Sequence, residues 1–378
     1  MLKKTKTKGS GGKMKEWGCV LLAGGRGSRM GGVNKGSLNY EGITFGERIG
    51  AELSACSVPC FLSEAVYEKG LKGFLTVRDQ VRDPEGQFVG PMGGIYSCLC
   101  RAEELGLKGL FFVSCDMPFF RKEMAQLLMA SAEHEDAVLW RTRDGRLHPV
   151  CGFYSVNCLL TLEARIKAGD YRLMALLKEL SCRILDTSSY HIPDVWFENV
   201  NTPEIYKQLS RSAPPVLAVS GSKNTGKTTC LENIVKILSA AGLRLAVIKH
   251  DGHDFVPDTP GTDSFRMKAA GAYGTVVYSA GRFSMTKDER DHGAEDFFRY
   301  FPEADLILLE GQKASAWPKL ETLRREISAQ PVCRPETVIA YVKDWREEGE
   351  DSCLFEETDA IAEAVIRFLD RERGKISS

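Results

Sequence analysis

Along the chain, short apolar runs alternate with longer amphipathic stretches. Residues 17–23, 73–77, 109–115, 137–140 and 149–154 form runs of strand length. Helical spacing separates several of them: Met124, Leu127, Leu128 and Ser131 fall at i, i+3, i+4 and i+7, the stripe of a core-facing helix. Alternating strand and helix predicts an α/β fold with a mostly parallel sheet. The pattern breaks at Ser210-Arg211-Ser212-Ala213-Pro214-Pro215. Paired prolines remove backbone donors and favour extended chain, so residues 210–215 read as a linker. The same grammar then restarts. A strand begins at Val216, Leu231, Ile234, Val235 and Leu238 stripe a helix, and strand-like runs follow at 243–248, 274–278, 305–309 and 337–342. The expected division is a basic tail (1–15), a first α/β domain (16–209), the linker, a second α/β domain (216–370) and a tail (371–378).

The 378-residue length agrees with two domains. At 43% hydrophobic and 27% charged residues, the chain reads as a soluble globular protein. A net charge of −1 gives no global electrostatic case for nucleic acid or membrane binding. Only the start departs from this: Lys3, Lys4, Lys6, Lys8, Lys13 and Lys15 lie among Gly, Ser and Thr, the composition of a solvated, disordered tail. It lacks the apolar core of a signal peptide, and no run reaches the ~18 apolar residues of a membrane span. The twelve cysteines include no CxxC pair. Buried, reduced thiols in a cytoplasmic protein account for them.

The sharpest motif is Gly221-Ser222-Lys223-Asn224-Thr225-Gly226-Lys227-Thr228, a G-x-x-x-x-G-K-[ST] sequence between an expected strand and an expected helix. Its glycines let the backbone curl so that N–H groups face phosphate oxygens, and the helix N-terminus adds positive potential. Lys227 would reach the β- and γ-phosphates, Thr228 would bind Mg²⁺, and Thr229 begins the helix. Gly221, Asn224, Thr225, Gly226, Lys227, Thr228 and Thr229 are the expected nucleotide contacts here. Glu310 ends an apolar run and could hold the same metal through water. Asp263 is a further outer-shell candidate. His250-x-x-His253 lacks third and fourth ligands, so it makes a weak zinc site.

The first half carries a different glycine loop, Leu22-Ala23-Gly24-Gly25-Arg26-Gly27-Ser28-Arg29-Met30. Met30 occupies the position of the third dinucleotide-fingerprint glycine, which disfavours a dehydrogenase. Loop N–H groups with Arg26, Arg29 and Lys35 suit a triphosphate whose pyrophosphate must leave. Asp116 follows the run at 109–115, where an α/β sheet presents ligand-binding groups. It is the best Mg²⁺ candidate, since that ion takes one or two carboxylates plus phosphate oxygens. Asp79 ends another strand-like run and could assist. Gly90-Pro91-Met92-Gly93-Gly94 is a second place where backbone can approach a ligand closely.

These motifs support two resemblances. Residues 216–370 resemble molybdopterin-guanine dinucleotide biosynthesis protein B. The resemblance rests on the P-loop, Lys249-His250-x-x-His253, Pro260-Gly261-x-Asp263-Ser264, Lys268-Ala-Ala-Gly-Ala and Leu306-Ile-Leu-Leu-Glu-Gly. Gln312 replaces an expected aromatic residue. That family implies a P-loop NTPase fold and a GTP-binding, weakly hydrolysing helper. Residues 17–209 resemble molybdenum cofactor guanylyltransferase. The carrying motifs are Leu22-Ala-Gly-Gly, Ser28-x-Met-Gly-Gly-Val-x-Lys35-Gly36, Gly90-Pro-x-x-Gly94, Cys115-Asp-x-Pro118, His148-Pro149 and Asn199-Val-Asn-Thr-Pro-Glu204.

The second resemblance implies a Rossmann-like fold of the nucleotide-diphospho-sugar-transferase type. Positions matching Leu22, Ala23, Gly24, Gly25, Lys35, Asp79 and Asp116 would bind GTP, with Asp116 on Mg²⁺. Gly93, Asn199 and Asn201 would meet the molybdopterin substrate, and Asp116, Lys35 and Arg29 would carry catalysis. Asn34 stands where that family usually has Asp, leaving Lys35 freer for phosphate or less well positioned. The Gly24-Gly25 form favours GTP over CTP. The implied activity is GMP transfer from GTP to molybdopterin. Expected partners are GTP, the molybdenum cofactor, molybdoenzymes and cofactor-insertion proteins, without nucleic acid or membrane. The rival readings are a non-catalytic GTP-switched delivery adapter and a CTP-using or sugar-nucleotide transferase of the same fold.

Overall fold

The computed structural model describes residues 16–23, 35–40, 42–64, 71–209, 213–250, 259–288, 292–346 and 352–374. The chain divides into two compact units. One comprises Met1–Ser212 with Ala240–Gly242 and Ala362–Ser378; the other comprises Ala213–Ser239 with Leu243–Ile361. The basic tail and Ser210-Arg211-Ser212 of the linker lie outside the described residues.

The first unit contains β1 (Trp17–Leu22), a small hairpin of β2 (Asn39–Tyr40) and β3 (Ile43–Thr44), β4 (Cys60–Glu64), β5 (Phe74–Arg78), β6 (Gly109–Ser114), β7 (Ala137–Arg141), β8 (Leu147–Ser155) and β9 (Cys182–Asp186). Seven of them form one sheet in the order β5-β4-β1-β6-β8-β7-β9. β1 pairs in parallel with β4 and β6, while β8 runs antiparallel to both β6 and β7. Strand periodicity sorts the core onto two faces. Val20, Leu22, Leu110 and Phe112 pack with Met92, Ile95, Cys98 and Leu99 of the helix Pro91–Glu104. The intervening Cys19, Leu21, Phe111 and Val113 are equally buried. On that side Phe111 stacks on Phe120, and the Trp140 indole N–H donates to the Met124 carbonyl of the helix Lys122–Ser131. The result is helix, sheet, helix.

Local chemistry starts these helices. Thr44 and Glu47 form a reciprocal capping box at the helix Phe45–Ser54, a feature typically worth ~1 kcal/mol. Pro91 opens its helix after Gly90, whose φ of 81° is open to glycine.

The second unit contains β10 (Val216–Ser220), β11 (Leu245–Lys249), an antiparallel pair β12 (Gly274–Tyr278) and β13 (Phe283–Lys287), then β14 (Leu306–Glu310), β15 (Lys319–Thr322), β16 (Val338–Lys343) and β17 (Ser352–Leu354). Its main sheet is parallel, in the order β11-β14-β10-β15-β16-β17. The helix Lys227–Ala240 follows β10 and buries Leu231, Ile234 and Leu238. Val235, a member of the same apolar stripe, is only partly buried.

The C-terminal helix, Thr358–Gly374, departs from the expected division. Residues 362–374, which fall by sequence at the end of the second domain and the start of a tail, group with the first unit. Ala362, Val365, Ile366, Phe368 and Leu369 are buried. All twelve cysteines are free thiols, nine of them buried. Among the described residues, no helix is long and apolar enough to cross a membrane.

Candidate functional sites

The first site is set by where the sheet changes direction. From β1 the chain builds outward through β4 and β5, then crosses back to place β6 on the other side of β1. Such a switch opens a crevice at the strands' carboxyl ends. Leu22 lies level with Ser63 on β4 and Ser114 on β6, so Ala23 and Asp116 leave the sheet at the same edge. The Ala23 N–H donates to the Ser63 carbonyl at 3.2 Å, and the Cys115 N–H to the Leu22 carbonyl at 3.1 Å.

Three expected site residues meet directly at this edge. Lys35 Nζ donates to Asp116 Oδ2 at 2.9 Å and also to Asn201 Oδ1. The Val200 N–H donates to the Asp116 backbone carbonyl at 2.9 Å, which ties the segment carrying Asn199 and Asn201 to the backbone beside the carboxylate. Lys35 and Asp116 are 20% and 13% exposed, so solvent only partly screens the pair. Two buried oxygens, Asp116 Oδ1 and Asn199 Oδ1, have no hydrogen-bond partner among the described residues. Burying such atoms costs free energy unless something satisfies them. An orphaned carboxylate oxygen fits a hard divalent cation, and an orphaned amide oxygen fits a donor on a substrate.

Asp79 lies just past β5. Its Oδ1 accepts from the Val81 N–H at 2.9 Å and from Ser97 Oγ at 3.3 Å. Burial raises its carboxyl above the usual range, although these two donors and Arg82 oppose the shift. Gly93 passes so close that a Cβ there would lie 2.8 Å from both Asp79 carboxylate oxygens. Gly94 similarly faces Leu22 and Ser63. The glycines at 93 and 94 therefore let a helix approach both the Asp79 side chain and the end of β1. Gly24, Gly25, Arg26, Arg29 and Asn34 lie outside the described residues. His148 is a core residue: Thr142 Oγ1 lies 3.1 Å from its Nε2, and its ring packs against Phe197. Burial first, then the Arg146 charge, hold its pKa down to about 4.

The second site lies within the other unit. Gly221, Asn224 and Gly226 all have positive φ, at 143°, 66° and 92°, giving the curled loop the motif predicted. Thr225 Oγ1 donates to the Ser222 carbonyl at 2.9 Å and lies 2.8 Å from Thr322 Oγ1. Lys227 Nζ donates to the Ser222 carbonyl at 2.6 Å, and burial lowers its pKa despite nearby Glu310. The register of β10 with β14 puts Glu310 level with Val219. Thr228 Oγ1 donates to Glu310 Oε1 at 3.0 Å, so the two expected metal-binding residues face each other. Thr229 follows in the helix. Lys249 lies 3.4 Å from Glu310. Asp263 begins an exposed helix and pairs with Arg266, and His253 is outside the described residues.

Sequence reasoning missed β15. Lys319 and Glu321 are fully buried, although their charges signal exposure. Lys319 Nζ donates to the carbonyls of Gln312, Lys313 and Ser315. Glu321 Oε1 accepts from the N–H groups of Val332 and Cys333. Glu321 Oε2 is buried without a partner among the described residues.

Fold and site together define a pair of fused nucleotide-handling α/β domains, one with a transferase-type crevice and one with a P-loop. Comparison with known proteins makes this specific. The family described as MobA-like NTP transferase domain matches residues 19–184, and Molybdopterin guanine dinucleotide synthesis protein B matches residues 216–344. A molybdenum cofactor guanylyltransferase from Vibrio campbellii is 31% identical over 51% of this chain and 94% of its own length. A molybdopterin-guanine dinucleotide biosynthesis adapter protein from Escherichia coli is 30% identical over 42% of this chain and 96% of its own. The crystal structure of Bacillus subtilis MobB is 29% identical over 41% of this chain and 97% of that one, with a TM-score of 0.33. The chain belongs to the molybdenum cofactor guanylyltransferase family through its first domain and to the MobB family through its second.

Proposed function

We propose that the protein transfers GMP from GTP to molybdopterin, giving molybdopterin guanine dinucleotide and pyrophosphate, with a GTP-binding accessory domain. The observation that carries this reading is the convergence of Lys35, Asp116 and Asn201 at the carboxyl edge of β1 and β6. The orphaned oxygens of Asp116 and Asn199 lie beside it in the sequence segments that form the site.

In the reaction, the terminal phosphate of molybdopterin attacks the α-phosphorus of GTP. A new P–O bond forms there, the α–β bridging bond breaks, and its electron pair leaves with pyrophosphate. The attacking oxygen is already anionic, so no dedicated base is needed. The protein must offset repulsion between two anions and align them, and alignment alone can supply up to ~7–11 kcal/mol. Lys35 supplies one fixed positive charge, and Arg29 is a second candidate. Leu22, Ala23, Gly24, Gly25 and Asp79 hold the nucleotide. Gly93, Asn199 and Asn201 orient the pterin. Asp116 would hold Mg²⁺, which when bound supplies neutralisation of triphosphate charge.

In the second domain, Gly221 and residues 224–229 cradle a second GTP, and Thr228 with Glu310 would hold its Mg²⁺. Weak GTP hydrolysis there, a cytoplasmic location and onward delivery to molybdoenzymes complete the reading. A competition assay tests it: with molybdopterin present, GTP should support pyrophosphate release and CTP should not. Equal use of both nucleotides, or release with a sugar phosphate in place of molybdopterin, would favour another transferase of this fold.

A further inference from the structure

In the first unit a half-buried cluster of four charged residues lies remote from the glycine loop in sequence. Arg143 donates bidentately to Glu363 at 2.8 Å, and its Nη1 also meets Asp194 at 2.9 Å and Asp370 at 3.5 Å. Asp370 also holds backbone, since its Oδ1 accepts from the Val195 N–H at 3.1 Å. Val195 is the first buried residue of the turn Asp194–Phe197, which leads through Glu198 into Asn199, Val200 and Asn201. The far end of that segment is fixed by the Val200 bond to Asp116 and the Asn201 bond to Lys35. Three residues past Asp370, Arg373 lies over the ring of Phe119, 5.2 Å from its centroid. Phe119 lies in the turn Met117–Phe120, which directly follows the turn Ser114–Met117 that carries Asp116.

From this geometry we propose that Asp370, on the last helix of the chain, is a positioning residue for the transferase site. By anchoring Val195, it sets the segment that presents Asn199 and Asn201 to substrate and Asn201 to Lys35. Arg373 braces, from the same helix, the turn Met117–Phe120 that follows Asp116. Residues 362–374 are therefore working parts of the first domain, although some 160 residues of chain separate them from Asn201. Two terminal groups of a backbone-anchored segment must be held to within about 0.5 Å for productive geometry. Asp370 accepts from the backbone of Val195 and of Asp194, at the end of the segment opposite the reacting groups.

The inference rests on the guanylyltransferase reading, so its test has two readouts in the full-length protein. Burial pushes the Asp370 carboxyl up to about 6, with Asp194 adding to the rise and the Val195 N–H and Arg143 opposing it. The site thus tolerates a neutral group, and Asp370→Asn keeps an oxygen to accept from Val195. Asp370→Ala removes it. In Asp370→Ala, amide hydrogen exchange over 195–201 should quicken at least tenfold while the rest of the sheet stays protected. In the same variant kcat/KM for molybdopterin should fall at least tenfold. KM for GTP should stay within twofold, because Leu22, Ala23 and Asp79 lie outside the anchored segment. Asp370→Asn should behave as wild type in both. Unchanged exchange in Asp370→Ala would overturn the proposal, as would equal loosening of the whole unit or parallel rises in both KM values. If wild type transfers no GMP, the transferase reading fails, and the exchange experiment alone still decides whether Asp370 positions this segment.

Discussion

Replacing Lys35 with methionine should separate two quantities that usually fall together. The Lys35 ammonium is 2.9 Å from Asp116 Oδ2, on the carboxylate proposed to receive the metal. Two unit charges at ~4 Å with an effective dielectric of ~20 attract by ~4 kcal/mol. Partial exposure and salt reduce this to ~1–2 kcal/mol in practice. A cation arriving at Asp116 must displace that interaction, so Lys35→Met should bind Mn²⁺ about 5- to 30-fold more tightly without nucleotide. Turnover should move the other way, since loss of a fixed charge on the transferring group costs ~10²- to 10³-fold. Methionine roughly preserves the length and apolar stem of lysine, which limits packing loss. Free Mn²⁺ would be followed by electron paramagnetic resonance, with Asp116→Ala setting the background from the second domain. Transfer would be followed by pyrophosphate release. Weaker Mn²⁺ binding together with lost turnover would refute the argument, because Lys35 would then be building the site rather than occupying part of it.

Three further perturbations bear on separate parts of the molecule. Gly93→Ala places a Cβ 2.8 Å from the Asp79 carboxylate. It should raise KM for GTP roughly tenfold, while the helix gains up to ~1 kcal/mol from alanine; an unchanged KM would remove Asp79 from the nucleotide site. Gly221→Ala would put a Cβ 2.5 Å from the Thr322 carbonyl at a φ of 143°, costing ~1–3 kcal/mol. Fluorescent GTP titration should show loss of the second domain's binding, and retained affinity would mean the loop tolerates a different curl. His148 is neutral in the fold, with its pKa at about 4 against 6.5 for the free side chain. The unfolded chain therefore takes the proton first, and stability held above pH 6.5 is lost as pH falls toward 4, ~3 kcal/mol in all. Urea unfolding of His148→Gln should lose this slope, and an identical pH dependence in the variant would discount His148 as its source.

The legible parts of the structure were those where one segment carries its own signal. The runs that became β1, β6, β10 and β14 are almost continuously apolar because central strands of a helix-covered sheet are buried on both faces, and their ends placed Asp116 and Glu310. The P-loop was equally visible, since its positive-φ positions fall on Gly221 and Gly226, with Asn224 between them. Other features depended on partners distant in sequence. β15 was hidden because Lys319 and Glu321 carry charges that only backbone carbonyls and N–H groups elsewhere in the unit satisfy. β9, Cys182-Arg-Ile-Leu-Asp, alternates too weakly to stand out, and its pairing with β7 places it. The bond from Asn201 to Lys35 spans 166 residues and the pair Arg143–Glu363 spans 220. A periodic pattern carries no information at such separations.

Central to the mechanism is a nucleotidyl transfer at the Lys35–Asp116–Asn201 edge, separate from the nucleotide held by the P-loop. The direct measurement follows the label from α-³²P GTP into product with molybdopterin, in wild type, Asp116→Ala and Lys227→Ala. Wild type should give labelled molybdopterin guanine dinucleotide and one equivalent of pyrophosphate. Asp116→Ala should lose both, and Lys227→Ala should continue to transfer. Labelled product from Asp116→Ala, or none from wild type while GTP still binds, would contradict the mechanism.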